Sequence, residues 1–301
     1  MNIQSEPVQI AVGIATAGRR EQLARTLEQL TKQTFMPHRV IVSPASLDDF
    51  DEPAAQLLGL HVTRVDGPRG SCAQRNAIFR AAGDCEVLLF IDDDFYPASD
   101  YLEKLAKIFF ENPDVVVVTT YPEHDGATGP GLEHGFALAM LEQREARQLA
   151  GQLELVDTYG GYGCNLSVRL LVAQRHQIRF DENLPLYGWL EDVDFSRQFA
   201  AYGRIVTCGG LYGIHLGSKR GKTSGILLGY SQIANPIYMM RKGSISGWRA
   251  CRQLLRNLAK NLLCSIFPEP WVDRRGRAKG NFIALWDVIT GKVNPRRILD
   301  L

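Results

Sequence analysis

VLLFIDDD, at residues 87–94, is a run of five apolar residues followed by three carboxylates. The apolar part has the length and composition of a strand buried on both faces of a parallel sheet. The carboxylates then lie at the carboxyl end of that strand, where open α/β sheets bind their ligands. Three adjacent like charges repel one another, and Mg²⁺ or Mn²⁺ would relieve the repulsion by binding carboxylate oxygen. Because alternate residues of a strand share a face, Asp92 and Asp94 are the candidate metal ligands, and a solvated acidic turn is the alternative.

The chain on either side of this strand alternates apolar strands with amphipathic helices. The patterns predict helices over residues 19–33, 71–82 and 99–110, with Ser71 as the N-cap of the second. They predict further strands over residues 9–15, 39–42, 61–65, 115–120 and 205–208. Alternation with short connections indicates an α/β fold in which helices flank a mostly parallel sheet.

Length and cysteine usage narrow the class of protein. A chain of 301 residues that is 45% hydrophobic is long enough for one large core or two modest ones. The six cysteines are widely spaced and include no CxxC pair, which favours reduced thiols in the cytoplasm over disulfides or a zinc site. The sequence shows neither a signal peptide nor 18 uninterrupted apolar residues, so we expect a cytoplasmic chain that does not span a membrane.

The net charge of +1 conceals a division between an acidic body and a basic tail. From Lys219 onward the chain has 16 Lys/Arg and 4 Asp/Glu, whereas residues 1–218 have 18 Lys/Arg and 29 Asp/Glu. The tail predicts a basic helical extension that either binds an anionic membrane surface or packs its apolar stripe on the body. The stripe consists of Ile245, Trp248, Leu255, Leu258, Leu262 and Ile266, and the basic face consists of Arg249, Arg252, Arg256 and Lys260.

Four further motifs accompany the acidic strand in a fixed order. They are ATAGR at residues 15–19, GPRGSCAQRNAIFRAAGD at 67–84, FDENL at 180–184 and WLEDVDFSRQFAAYG at 189–203. With DDD at its place between the second and third, this order resembles family 2 glycosyltransferases of the bacterial surface-polysaccharide type. The resemblance covers roughly residues 8–220. It implies a GT-A (Rossmann-like) fold and transfer of a sugar from a nucleotide-sugar with inversion at the anomeric carbon.

The resemblance also implies which residues bind the donor and its metal. Arg75 would face the donor diphosphate from a helix N-terminus, and Thr16 would touch the base. Asp92 and Asp93 are assigned to the donor as well. His215 would complete a Mn²⁺ or Mg²⁺ site with Asp92 and Asp94, although a lone histidine is often structural.

The catalytic residues implied by the resemblance lie in the WLEDVD segment. Inverting transfer needs a carboxylate that accepts the proton of the attacking hydroxyl. Asp192 would be this base, Glu191 would orient it or hold the acceptor, and Trp189 would contact the acceptor. The alternative is that the two acidic residues only favour a helix N-terminus. Asp194 is expected on the helix surface.

Three parts are expected along the chain: a nucleotide-sugar-binding half (1–95), an acceptor and catalytic half (96–225) and the basic extension (226–301). The basic segment 217–225 is either a mobile lid or a solvated loop. The QxxRW motif of processive relatives is absent, which favours addition of one sugar. We expect the donor sugar to be linked to UDP. We expect the acceptor to be a lipid-linked glycan at the inner face of the membrane. Nothing indicates a nucleic-acid partner.

Two other functions are compatible with the sequence. A sugar-phosphate nucleotidyltransferase shares the α/β half and the acidic metal site, but it normally has a glycine-rich basic loop directly after the first strand. Residues 15–20 are a poor version of that loop. A non-catalytic glycan-binding protein is the second alternative, and it would predict loss of the DDD triplet or of Glu191 and Asp192. Both are present.

Overall fold

Eleven strands form two sheets in the computed structural model, which describes residues 8–147, 152–219 and 224–301. In chain order they are β1 (Ile10–Thr16), β2 (Arg39–Pro44), β3 (Val62–Arg64), β4 (Val87–Asp92), β5 (Phe95–Pro97), β6 (Val115–Thr119), β7 (His124–Asp125), β8 (Leu155–Asp157), β9 (Asn165–Arg169), β10 (Arg204–Cys208) and β11 (Gly213–His215).

The central sheet has the strand order β3-β2-β1-β4-β9-β6-β10-β8. Its first four strands are parallel to one another, and β6 and β10 are a parallel pair. β9 runs antiparallel between β4 and β6, and β8 runs antiparallel at the edge. The sequence therefore predicted the parallel strands to within two residues at each end, and it missed the two antiparallel ones. The expectation of a mostly parallel sheet flanked by helices is confirmed.

Ten α-helices accompany the strands among the described residues. They are α1 (Arg20–Leu30), α2 (Glu52–Gln56), α3 (Ser71–Ala81), α4 (Tyr101–Glu111), α5 (His134–Ala146), α6 (Leu170–Arg175), α7 (Glu191–Gln198), α8 (Gly225–Lys242), α9 (Gly247–Cys264) and α10 (Arg274–Ile289). The prediction of Ser71 as an N-cap is wrong, because Ser71 is the first residue of α3 and Gly70 is the N-cap. Gly70 has a φ of 137°, which a residue with a side chain rarely adopts.

Strand β4 is buried on both faces of the sheet. Val87, Leu89 and Ile91 pack into one hydrophobic cluster with residues of α1 and α4. Leu88 and Phe90 pack into a second cluster with residues of α3 and α7. This two-sided burial explains why the strand is apolar at every position rather than at alternate ones.

Helices α8, α9 and α10 pack on one another. Most of the residues of α8 from Gly229 to Pro236 are buried, and Tyr230, Ile233 and Ala284 form the centre of this packing. The predicted basic amphipathic helix is confirmed as α9, but most of its predicted apolar stripe is exposed to solvent, with Trp248, Leu255, Leu262 and Ile266 among the exposed residues. No helix within the described ranges is long and apolar enough to cross a membrane.

α8 begins at Gly225, next to the predicted start of the extension at residue 226. The division into three parts stays a prediction. The expected lid at 217–225 falls partly on residues 220–223, which lie outside the described part of the chain.

Candidate active site

A cavity of about 660 Å³ opens at the carboxyl ends of β1 and β4. Its volume falls in the range of about 300–1,000 Å³ that is typical of small-molecule sites. Eight of the nine predicted site residues line it: Thr16, Arg75, Asp92, Asp94, Trp189, Glu191, Asp192 and His215. The ninth, Asp93, is fully buried and is not among the lining residues. The fold thus brings together residues that are up to about 200 positions apart in sequence.

Asp92, Asp94 and His215 form the candidate metal site. Each offers one ligand atom, and these atoms all lie within 4.8 Å of one another. Nε2 of His215 is 3.4 Å from Oδ1 of Asp94 and 3.7 Å from Oδ2 of Asp92. Two carboxylates and an imidazole are an acceptable set for Mn²⁺, and the carboxylates suit Mg²⁺.

The small sheet β5-β11-β7 explains how these ligands meet. His215 pairs with Phe95, the residue after Asp94, on one side, and with Asp125 on the other. Nδ1 of His215 lies 2.8 Å from Oδ1 of Asp125, so Asp125 fixes the ring and turns Nε2 toward the other carboxylates. The hydroxyl of Tyr162 donates to Asp125 over 2.6 Å.

These contacts set the charges at the metal site. Burial opposes a charge on Asp94, but His215, Arg19 and the backbone N–H of Ser218 together lower the pKa of Asp94 to about 2. Burial also opposes protonation of His215, whereas Asp125 and Asp94 raise its pKa well above the usual value. The site therefore favours a cationic group between its carboxylates, and a bound metal would displace the ring proton.

Asp93 is directed away from the cavity. Its carboxylate accepts a hydrogen bond from Thr16 Oγ1 at 2.6 Å and pairs with Arg19 at 2.9 Å. Burial raises the pKa of Asp93 to about 7, although Arg19 opposes this. Arg19 also lies 3.4 Å from Asp94, so one guanidinium contacts two of the three carboxylates of the acidic triplet.

Arg75 connects the metal side of the cavity with the carboxylates of α7. Its guanidinium is 2.7 Å from Glu191 Oε1 and 3.1 Å from Asp92 Oδ1, and it donates to the Gly163 carbonyl. Burial opposes its charge, but the carboxylates of Glu191 and Asp92 outweigh burial and raise its pKa. The guanidinium is therefore fixed and charged where α3 begins.

Glu191 and Asp192 occupy different environments in the first turn of α7. Burial, and then the nearby charge of Asp192, raise the pKa of Glu191 to about 8. Burial also raises the pKa of Asp192, although its carboxylate accepts hydrogen bonds from the backbone N–H groups of Gly163 and Val193. Asp192 is the more exposed of the two. Like charges this close do not ionise independently, so the pair titrates as a unit.

The turn that leads into α7 has an unusual backbone. Leu186, Gly188 and Leu190 have φ values of 57°, 71° and 72°, and two of them carry a side chain. Such residues cost roughly 1–3 kcal/mol each and are concentrated at functional sites. Trp189 lies within this turn, and its carbonyl accepts a hydrogen bond from Asn235 of α8. The turn is therefore held by the C-terminal helices.

The expectation that Asp194 lies on a helix surface is wrong. Asp194 is fully buried and binds Lys242 Nζ at 2.8 Å and the hydroxyl of Ser244. The amphipathic pattern of a helix eight residues long did not show that the segment after α8 covers this side chain. Asp194 thus fastens the helix that carries Glu191 and Asp192 to the C-terminal helices.

Sequence reasoning missed several other residues of the site. Arg19 was visible in the ATAGR motif, and a cation next to an acidic turn was a usable signal. Asp125 gave no signal, because a strand of two residues is too short for periodicity, and Tyr162 lies in the loop before β9. Gln253 of α9 lines the cavity, which nothing in its surroundings in the sequence indicated.

Comparison with known proteins identifies the family of the chain. The model of Glycosyl transferase family 2 matches residues 11–168, just over half of the chain. The uncharacterized glycosyltransferase YwdF of Bacillus subtilis (strain 168) is 30% identical over 141 residues, which are 43% of this chain and 50% of YwdF. The match therefore spans half the length of that relative.

Solved structures with low sequence identity share the fold. S. aureus TarS 1–349 in complex with UDP-GlcNAc superposes with a TM-score of 0.58 at 15% identity, covering 96% of this chain and 82% of that one. The mannosyltransferase PcManGT from Pyrobaculum calidifontis, in complex with GDP-Man and Mn²⁺, gives 0.54 at 15% identity, covering 97% and 85%. The family match favours a glycosyltransferase over the nucleotidyltransferase and the non-catalytic glycan-binding protein. The chain belongs to glycosyltransferase family 2 and has the GT-A fold.

Proposed function

We propose that the chain transfers one sugar from a nucleotide-diphosphate sugar to a glycan acceptor, with inversion at the anomeric carbon and with a divalent cation as cofactor. The observation that carries the proposal is that two chemically different groups meet in one cavity. A candidate metal site of Asp92, Asp94 and His215 lies on one side, the carboxylates of Glu191 and Asp192 lie on another, and Arg75 connects them.

The residues of the candidate metal site fit a divalent cation. Within the described part of the chain, Oδ1 of Asp94 is buried without a hydrogen-bond partner, and a bound cation would satisfy it. Asp92 and Asp94 would supply oxygen ligands and His215 a nitrogen ligand, which suits Mn²⁺ and is compatible with Mg²⁺. A bound cation would supply positive charge that stabilises the departing diphosphate.

The donor would lie between β1 and the N-terminus of α3. Gly70 and Ser71 open α3 toward the cavity, and a helix N-terminus attracts phosphate through its free N–H groups. Arg75 would add a fixed positive charge beside the diphosphate, and Thr16 would lie near the base. We propose UDP as the nucleotide; TarS 1–349 was solved with UDP-GlcNAc and PcManGT with GDP-Man.

Asp192 would act as the base. In an inverting transfer the acceptor oxygen forms its bond to the anomeric carbon as the bond to the diphosphate breaks, and the acceptor proton passes to a carboxylate oxygen. Asp192 is the more exposed carboxylate of the pair, whereas Glu191 is occupied by Arg75. We therefore propose that Asp192 accepts the proton and that Glu191 holds Arg75 in position. Asp93 would act indirectly, by fixing Thr16 and Arg19.

Trp189 would contact the acceptor. It lines the cavity beside Glu191, and an aromatic ring suits the apolar face of a sugar. We propose a lipid-linked glycan acceptor, reached at the inner face of the cytoplasmic membrane, in surface-polysaccharide or exopolysaccharide synthesis. The absence of QxxRW supports the addition of a single sugar.

Slow hydrolysis of nucleotide sugars in the absence of acceptor tests the proposal. We expect the purified protein to release nucleoside diphosphate from one of a panel of UDP-, GDP- and TDP-sugars when Mn²⁺ or Mg²⁺ is present, and not after chelation. An Asp192→Asn variant serves as the background control. Absence of hydrolysis and of binding across the whole panel, with either metal, would contradict the proposed function.

A further inference from the structure

Large apolar side chains are exposed on both α9 and α10. In α9 and the three residues after it, the exposed large apolar residues are Trp248, Leu255, Leu262, Leu263, Ile266 and Phe267. In α10 they are Phe282, Trp286 and Ile289, which recur at intervals of four and three residues. Trp248 and Trp286 are 74% and 65% exposed. Soluble monomers rarely expose so many large apolar residues together, and such patches mark interaction sites. We call these nine residues the hairpin face.

The exposed charges of α9 and α10 themselves have one sign, whereas the loop between them carries Asp273 and Glu269, the latter paired with Arg274. α9 contains no acidic residue, and the single one of α10, Asp287, is buried and bound by Tyr230 and Arg297. The exposed basic residues of the two helices that lie beside the apolar ones are Arg252, Arg256, Lys260, Arg275 and Lys279. Arg249 is not counted with them, because its guanidinium stacks on the ring of Tyr159 at 3.6 Å.

Buried hydrogen bonds hold the hairpin in place. The Asn261 amide of α9 donates to Gln232 of α8 at 2.7 Å and to Asn281 of α10 at 2.9 Å. Asn281 in turn donates to the carbonyl of Gly229. Buried polar groups paired in this way fix the rotation of each helix about its axis. The apolar residues therefore face outward as a consequence of the packing of all three helices.

We propose that the hairpin face docks on an anionic lipid bilayer. A basic amphipathic surface with tryptophan and leucine inserts its apolar side chains at the lipid boundary and places its cations on anionic headgroups. A second copy of the chain fits less well, because a self-complementary contact would bring the basic residues of both copies together. A nucleic acid would match the charge but would leave Leu255, Leu263 and Ile266 exposed.

Docking in this orientation would place the cavity one helix away from the membrane. Gln253 lines the cavity from the side of α9 opposite Trp248 and Leu255, and Leu227 of α8 lines it too. The thickness of α9, about 10 Å, would then separate the cavity from the lipid surface, and the glycan of a lipid-linked acceptor would span this distance to reach Trp189. This last step rests on the proposed function, whereas docking itself does not.

Vesicle co-sedimentation tests the docking. We expect the protein to bind vesicles in which about a third of the lipid is phosphatidylglycerol, and to bind pure phosphatidylcholine vesicles far more weakly. Each basic side chain near such a surface strengthens binding by about fivefold, so Arg252, Arg256, Lys260 and Lys279 changed together to Gln should weaken binding at least 100-fold. Binding should also fall as salt shortens the Debye length from about 10 Å at 0.1 M to about 3 Å at 1 M.

A matched variant controls for net charge. Arg25, Lys32, Arg80 and Arg175 are exposed and lie outside the C-terminal helices, and their change to Gln removes the same charge but should leave vesicle binding intact. Both variants should keep donor hydrolysis in solution, so a failure of docking is distinguishable from a failure of the proposed function.

Insertion of the apolar residues needs a separate readout. In a variant whose only tryptophan is Trp248, vesicles with brominated acyl chains should quench the tryptophan fluorescence. The proposal would be overturned by equal binding to both lipids or by an equal loss of vesicle binding in both charge variants. Absence of fluorescence quenching, or self-association without lipid binding, would overturn it as well.

Discussion

Glu191 and Asp192 are adjacent carboxylates with different surroundings. Arg75 holds Glu191 at 2.7 Å, whereas Asp192 is bound only by backbone N–H groups and is more exposed to the cavity. Unequal surroundings are how two titratable groups of one kind obtain different roles. The proposed division, a base and a residue that positions Arg75, follows from these contacts.

Asp192→Asn should lower kcat by a factor of about 10² or more, because general base catalysis contributes about 10²–10⁴. The amide keeps the shape of the side chain but cannot accept the proton, so donor affinity should survive. Glu191→Gln should retain more turnover and mainly weaken donor binding. Steady-state kinetics of both variants measure the loss of turnover, and donor titrations measure the change in donor affinity. Near-normal turnover in Asp192→Asn with none in Glu191→Gln would mean that the two roles are reversed.

The pH dependence of turnover reports on the same pair. Burial raises the pKa of both carboxyls, that of Glu191 to about 8. Because the base must be ionised, turnover at saturating donor and metal should fall as the pH drops through an apparent pKa above the ordinary aspartate value of about 4. Glu191 has the higher pKa and is already uncharged when Asp192 titrates, and burial is the main cause of the raised pKa of Asp192. Glu191→Gln should therefore leave the acid limb in place, and a limb that moves to the ordinary aspartate range in this variant would contradict its assignment to Asp192.

The turn from Leu186 to Leu190 is the element on which the site most depends. Gly188 has a φ of 71°, and a Cβ there would lie 3.3 Å from Glu191 Cβ and from Cys72 Sγ. Gly188→Ala should therefore cost about 1–2 kcal/mol of unfolding free energy and also displace Glu191.

Gly59→Ala is the matched control for that change. Gly59 has a φ of 73°, but an added Cβ would meet no described atom within 4 Å. Both variants should lose similar unfolding free energy in denaturant titrations, and only Gly188→Ala should lose turnover. Equal turnover in the two variants would show that the turn does not position the catalytic residues.

The elements that the sequence predicted are those whose burial leaves a pattern. β4 is apolar throughout because both of its faces are covered, and α1 shows its buried leucines at helical spacing. β9 reads NLSVR, with polar residues that are nonetheless buried, so its place in the centre of the sheet left no apolar run. The strands of the small sheet have two or three residues, too few for any periodicity.

Site residues were predictable for a similar reason. The acidic triplet and the pair at the start of α7 are conspicuous, because clustered carboxylates need a partner. Arg75 and His215 were assigned only by resemblance to the family. Their contacts with Asp92, Glu191 and Asp125 depend on pairings across 17 to 116 residues, which no local pattern records.

At the scale of the whole molecule, the acidic body and the basic C-terminal helices share one cavity. The sequence showed the division of charge but left open whether the apolar stripe of α9 packs on the body. In the structure, Leu254 and Leu258 pack on the core of the C-terminal helices, while Trp248, Leu255 and Ile266 are exposed. The helix therefore packs with one face and exposes the other. The proposed docking surface would then lie on a helix that also lines the candidate active site.

Metal-dependent donor binding is the central claim, and calorimetry of UDP binding to the Asp94→Ala variant tests it most directly. Removal of this carboxylate takes away one of the three candidate metal ligands and leaves the base in place. Asp66→Ala, at an exposed residue that does not line the cavity, is the control. We predict that Mn²⁺ strengthens UDP binding at least tenfold in the unmodified protein and in Asp66→Ala, but not in Asp94→Ala. Equal, metal-independent affinity in all three proteins would contradict the account.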